Sequence, residues 1–98
     1  MIINNLLLKL KERNVENITK ARDVLLGLKG KIEVLRDLQV EVDIRHGGSS
    51  HDLMLITKFD SMEDLDAYLI HPVHVEVSKY IGNVLETGSS VCYESRTE

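Results

Sequence analysis

Two segments of this chain carry apolar side chains on both sides of the strands they would form, and this feature restricts the fold most. Alternation in residues 2–10 places Ile2, Leu6, Leu8 and Leu10 on one side and Ile3 and Leu7 on the other. Residues 52–59 repeat the pattern, with Leu53, Leu55 and Phe59 opposite Met54 and Ile56. Helices on one side of a sheet leave its other face bare, and a bare apolar face of roughly several hundred Å² is unusual on a monomer. The pattern therefore predicts that a second copy of the chain, related by a two-fold axis, covers that face.

Apolar residues at helical spacing predict three helical stretches, over residues 15–29, about 61–70 and about 72–85. Asn14 is the expected N-cap of the first helix, and Ser61 with Asp64 resembles a capping box at the start of the second. The inner side of the first helix is expected to carry Val15, Ile18, Ala21, Leu25 and Leu28, and that of the second Met62, Leu65 and Leu69.

Two further strands complete the predicted fold. Residues 34–46 alternate between apolar and charged side chains, and Leu38, Val40, Val42 and Ile44 share one side. A glycine loop follows at 46–51, and a last strand is expected at 89–94, with Val91 and Tyr93 on one face. The resulting order is βαββαβ, which is that of a ferredoxin-like split βαβ domain in the α+β class. We expect residues 1–98 to form one domain, with a four-stranded antiparallel sheet and helices on one face.

The stretch from Tyr68 to His74 marks a break between two helices. Pro72 lacks a backbone N–H, so it begins a helix well and interrupts one badly, and it pushes His71 toward an extended conformation. His74 then lies in the first turn of the new helix, where the positive end of the helix dipole disfavours its protonated form. A neutral imidazole at this position suits proton transfer near neutral pH.

These features resemble the stress-responsive dimeric α/β-barrel family, often called Dabb. The resemblance rests on the first strand, the segment from Asp52 to Leu55, Phe59 before an acidic helix, Tyr68, and the pattern His71-Pro72-x-His74. It implies a dimeric α+β barrel by a route independent of the apolar pattern. In some plant members that cyclise polyketides, a tyrosine and the second histidine act as acid and base, and Tyr68 and His74 correspond to them. The first strand of the family usually carries a histidine where Asn4 stands here.

The candidate site lies between the sheet and the helix that bears His74. His74 and Tyr68 are the candidate catalytic residues, and Asn4, His71, Tyr68 and His74 are the candidate ligand-binding residues. Each also has a structural interpretation. His74 could be packed at a helix start, His71 could bond the backbone of its turn, and Tyr68 could belong to the core. Asn4 needs a hydrogen-bond partner if it is buried, or else it lies at a sheet edge. His46 and His51 flank the glycine loop, and we expect them to be solvated.

Charge and composition argue against several classes of function. With 12 basic and 16 acidic residues, the net charge of −4 does not favour binding to nucleic acid, and there is no basic run of the kind that binds a membrane surface. The apolar run at residues 6–8 is too short for a signal sequence or a membrane span. A single cysteine, Cys92, cannot form an internal disulfide, which indicates a reducing, cytoplasmic location. The four histidines lack a zinc spacing, and no cofactor or metal is expected.

Three functions remain open at this stage. The first is a homodimer that holds a small apolar or aromatic molecule without turnover. The second is a cofactor-free enzyme, polyketide-cyclase-like or monooxygenase-like, with His74 as general base and Tyr68 orienting a carbonyl oxygen. The third is a purely structural oligomer.

Overall fold

The computed structural model of this chain describes residues 1–96. In chain order the elements are β1 (Ile2–Leu10), α1 (Val15–Leu26), β2 (Asp37–Val42), β3 (Leu53–Phe59), α2 (Met62–Leu69), α3 (Pro72–Val84) and β4 (Leu85–Glu94). The strands form one antiparallel sheet in the order β2-β3-β1-β4. This is the predicted ferredoxin-like βαββαβ fold, with the second helical region divided into α2 and α3.

The helices cover one face of the sheet, and the hydrophobic core lies between them. Every second residue of β3 is buried on this side, and Phe59, Leu8, Leu10 and Leu53 are at most 2% exposed. α1 lies close to β2, and both α1 and α2 approach β3, so β4 lies beyond most of the helical layer. Nearly all of β4 is exposed, although it pairs with β1 along its whole length.

No element within residues 1–96 covers the opposite face of the sheet, which is called the open face below. Cross-strand partners point to the same side, so the register assigns six apolar residues to the open face, namely Ile3, Leu7, Met54, Ile56, Val91 and Tyr93. Leu7, Val91 and Tyr93 are 36%, 65% and 46% exposed, respectively. The predicted pair Val91 and Tyr93 therefore does share a face.

Several predicted boundaries were wrong. The second strand spans residues 37–42 rather than 34–46, because Asp43 accepts a hydrogen bond from the His46 N–H and bends the chain into the loop, which leaves Ile44 90% exposed. α1 ends at Leu26 with Gly27 as its C-cap, and Leu28 reaches the core from the following turn. The last strand begins at residue 85 rather than 89.

The predicted inner residues of α1 and α2 were wrong in part. Val15 is 79% exposed at the first position of α1. In α2, Met62 and Leu69 are 50% and 45% exposed, and the buried residues are Leu65 and Tyr68. The phase of this eight-residue helix is set by the packing of Tyr68 on Phe59, with ring centroids 5.0 Å apart.

Candidate functional site

The break between α2 and α3 positions the candidate site. Ser61 caps α2, since its hydroxyl accepts from the Asp64 N–H at 3.2 Å. His71 is extended, with φ −65° and ψ 136°, and Pro72 occupies the first turn of α3. His71 Nδ1 accepts from the Val73 N–H at 3.1 Å, so its ring is the N-cap of α3. The interpretation of His71 as a turn residue bonded to backbone agrees with this geometry.

His74, in the first turn of α3, is held in a defined orientation. Its Nδ1 lies 3.0 Å from the carbonyl oxygen of Leu69, and because a carbonyl only accepts, Nδ1 carries the proton. The Ser78 hydroxyl lies 3.4 Å from Nδ1 and 3.3 Å from Nε2. Because Nδ1 carries the proton, Nε2 is the unprotonated nitrogen and can accept a hydrogen bond or a proton, from the Ser78 hydroxyl or from a bound molecule.

The surroundings of His74 keep its ring neutral. Partial burial lowers its pKa below the ordinary value of 6.5, and the nearby His71 lowers it further, while the hydrogen bond to Leu69 acts in the opposite direction. The helix dipole suggested the same direction from sequence, and in the structure burial is the largest of the named causes. The neutral form is the one that accepts a proton at Nε2.

Tyr68 lies beside His74, with ring centroids 4.4 Å apart and an interplanar angle of 53°. The residue is only 2% exposed, and burial raises the pKa of its hydroxyl to about 12. Within residues 1–96 this hydroxyl has no hydrogen-bond partner, yet it is not among the fully enclosed polar atoms. The Tyr68 hydroxyl thus stays protonated and is free to donate to a bound molecule.

Tyr68 and His74 both line a cavity of about 180 Å³ between the sheet and the helices. Its other lining residues are mostly aliphatic and come from β1, β3, α1, α3, the turn after α1 and the start of β4: Leu6, Leu8, Leu25, Leu28, Leu55, Val77, Ser78, Ile81, Gly82 and Leu85. The cavity is therefore an apolar space with its few polar groups at one side.

The two other candidate ligand-binding residues lie outside this lining. His71 faces its own helix start, as described above. Asn4 points to the helix side of the sheet, between Thr57 and Cys92 on the neighbouring strands, and is half-buried. β1 is an inner strand, so the alternative that Asn4 lies at a sheet edge was wrong. His46 is exposed, whereas His51 is half-buried beside a surface depression.

The sequence did not predict one buried polar cluster that the structure contains. Asp52 is 2% exposed, and its carboxylate accepts from the Leu10 N–H at 2.8 Å and from Arg13 Nε at 2.9 Å. Arg13 also donates to the carbonyls of Gly47 and Ser50, at 3.0 and 2.9 Å. The cluster fixes the glycine loop to the end of β1. An aspartate at the start of an apolar strand was the available signal, but its partner lies 39 residues away.

Three other depressions lie at one end of the open face, along the outer side of α1, and between β1 and the end of α3. Among residues 1–96, no three His, Cys, Asp or Glu side chains are grouped so that they could hold a metal ion. None of the helices in this part of the chain has the length and apolar character needed to cross a membrane.

The fold and the site together define the class of this protein. It is a ferredoxin-like α+β domain with a histidine and a tyrosine at the side of an apolar cavity. The family model of the stress-responsive A/B barrel domain, Dabb, matches residues 5–96, and the chain belongs to this family.

Several solved structures have a similar fold. A dimeric ferredoxin-like protein of unknown function from Bacteroides fragilis is 26% identical, with a TM-score of 0.82 over 96% of this chain and 95% of that chain. A hydroxynitrile lyase from Passiflora edulis is 13% identical, with a TM-score of 0.82 over 99% and 95%. An antibiotic biosynthesis monooxygenase is also 13% identical, with a TM-score of 0.77 over 99% and 100%. A search of curated proteins gives no match.

Proposed function

We propose that this Dabb domain is a cytoplasmic homodimer that binds a small apolar or aromatic molecule in the cavity between its sheet and helices. The observation that carries the proposal is the cavity of about 180 Å³, bordered by the free Tyr68 hydroxyl and by Nε2 of His74. An apolar cavity of roughly 150 Å³ is large enough to hold benzene. A purely structural domain has no need of such an apolar pocket, because unfilled space beside the core reduces packing energy.

The open face supports the dimer. It exposes the apolar side chains of Leu7, Val91 and Tyr93, and its edge strand β4 is exposed along nearly its whole length. Long exposed edge strands and apolar faces are sites at which chains associate. The similar Bacteroides fragilis protein is itself dimeric, which favours the same arrangement for this chain.

Ligand binding can be tested with toluene and p-cresol, measured by calorimetry or by NMR shift changes. Leu25→Phe fills the cavity from α1, and Leu26→Phe is its matched control, because Leu26 is the next residue and is 41% exposed outside the lining. We expect both probes to bind wild type and Leu26→Phe, and to bind Leu25→Phe at least tenfold more weakly. p-Cresol should bind several-fold more tightly than toluene, since one hydrogen bond contributes about 1 kcal/mol.

Equal affinity of the two variants would place the probes elsewhere and contradict the proposed site. Native mass spectrometry of protein purified from its host would add the subunit count and the mass of any retained molecule in one measurement.

The geometry of His74 and Tyr68 favours a second candidate, a cofactor-free acid–base enzyme. Nε2 of His74 would take a proton from an acidic C–H or a phenol, while the Tyr68 hydroxyl donates to the adjacent carbonyl oxygen. The fold is shared with a lyase and a monooxygenase, so it is compatible with catalysis.

Deuterium exchange into the methyl group of acetophenone, followed by NMR, tests this chemistry. Catalysed exchange that falls about 10²-fold or more in His74→Gln would favour the enzyme. Binding of acetophenone with no exchange above the buffer rate would favour the binding protein.

A further inference from the structure

The open face carries one polar residue at its centre. Asn5 lies in the middle of β1, an inner strand, and its cross-strand partners are Ile56 on β3 and Val91 on β4. Along β1, its neighbours on the same face are Ile3 and Leu7. Asn5 is thus surrounded on four sides by apolar residues.

Three other polar residues of the open face, Lys9, Gln39 and Lys58, lie toward its margins and have partners within the chain. Lys58 pairs with Asp37 at 3.8 Å, Lys9 Nζ donates to the Gly48 carbonyl at 3.2 Å, and Gln39 Nε2 donates to Glu41 Oε2 at 2.6 Å. Asn5 differs from them, because its side-chain amide has no hydrogen-bond partner within residues 1–96. It is half-buried, so water serves the amide as long as this face is uncovered.

A second copy that covers the open face would remove this water. An amide that loses water needs a partner, and its apolar neighbours offer none. In an isologous interface the two-fold axis lies in the plane between the two sheets, and residues close to it meet their own copies. An amide has both a donor and an acceptor, so two asparagines can satisfy each other reciprocally. Sheets packed face to face lie about 10 Å apart, which two asparagine side chains joined by a hydrogen bond can span.

We infer that the two-fold axis of the homodimer runs over Asn5, and that the Asn5 amide of one protomer pairs with the Asn5 amide of the other. This inference rests on the proposed homodimer and specifies its register. A single polar residue at the centre of an apolar interface fixes the register because every shifted arrangement places the amide against apolar groups.

Variants with opposite charges at residue 5 test the pairing. Asn5→Asp and Asn5→Lys should each dissociate the dimer, because like charges face each other across the axis. An equimolar mixture should form a heterodimer at least tenfold tighter than either homodimer, measured by sedimentation velocity. Ser89→Asp and Ser89→Lys are the matched control pair, because Ser89 is exposed on the same face of the edge strand β4. Mixing them should change the affinity less than threefold.

The outcomes separate this inference from the homodimer itself. If wild type is a dimer and the folded Asn5 variants bind each other no more tightly than they bind themselves, the inferred position of the axis is wrong, but the homodimer is still supported. If wild type is a monomer, both fail.

A second measurement does not need the charged variants to fold. In a Cys92→Ser background, Asn5→Cys should be joined into a covalent dimer by a short bismaleimide at least tenfold faster than Ser89→Cys. Equal rates in a dimeric protein would overturn the inference.

Discussion

The two faces of the sheet are made of alternate residues of the same strands, and they differ in what covers them. Leu8 is 1% exposed beneath the helices, whereas Leu7, the next residue of β1, is 36% exposed on the open face. Both are leucines, so composition does not separate their roles. The helix-side residues stabilise the protomer and enclose the cavity, and the open-face residues are free to stabilise an assembly. The distinction follows from the two-residue period of a strand.

Leucine truncation on the two faces should give the largest difference. Leu8→Ala should lower the free energy of unfolding by about 2–5 kcal/mol at every protein concentration, because it enlarges a void in the core. Leu7→Ala should destabilise only the dimer, so its effect on urea unfolding should vanish once dilution has dissociated wild type as well. Equal losses at all concentrations would mean that the open face belongs to the core of the protomer.

The buried cluster at the end of β1 should give the next largest effect. Asp52→Ala leaves the Leu10 N–H and Arg13 without their acceptor, so we expect a loss of about 2–3 kcal/mol in urea unfolding. Asp23→Ala, which removes an exposed ion pair with Arg22, should cost less than about 1 kcal/mol. Comparable losses in the two variants would contradict a special role for the buried pair.

The polar side of the cavity should make stability depend on pH. The pKa of His74 is lower in the folded chain than its unfolded value of about 6.5, so the unfolded chain binds more protons in the interval below that value. The contribution of His74 is therefore complete above about pH 6.5 and is lost as the pH falls, with a slope of at most about 1.4 kcal/mol per pH unit. Urea unfolding from pH 7.5 to 5 should show a steeper loss for wild type than for His74→Gln. Parallel curves would contradict the burial of this ring.

The N-cap of α3 should give the smallest effect. His71→Ala removes the acceptor for the Val73 N–H and should cost about 1 kcal/mol or less. His71→Asn should recover most of this loss, because asparagine is a favoured N-cap. Ligand affinity should change little in either variant, since His71 does not line the cavity. A tenfold loss of affinity for p-cresol would show that His71 does contribute to the ligand-binding site.

Local rules were sufficient to predict most of the fold. The period of the strands, the caps at Asn14 and Ser61, and the break at Pro72 depend on near neighbours in sequence, and the structure has each of them. The inner residues of α2 were predicted in part, because a short helix takes its phase from tertiary contacts such as that of Tyr68 with Phe59.

Less of the site than of the fold could be predicted from the sequence. Tyr68 and His74 could be placed together because only six residues and one turn separate them. Two features depend on which strands are adjacent, and a local sequence pattern does not predict strand order. They are the pairing of Arg13 with Asp52 and the position of Asn5 between Ile56 and Val91.

Sedimentation equilibrium over nanomolar to micromolar concentrations tests the central claim most directly. If a second copy covers the open face, wild type at micromolar concentration will sediment as a particle of twice the 11.1 kDa chain mass. A single species of 11.1 kDa at the same concentrations would contradict the claim and remove the basis for an axis over Asn5.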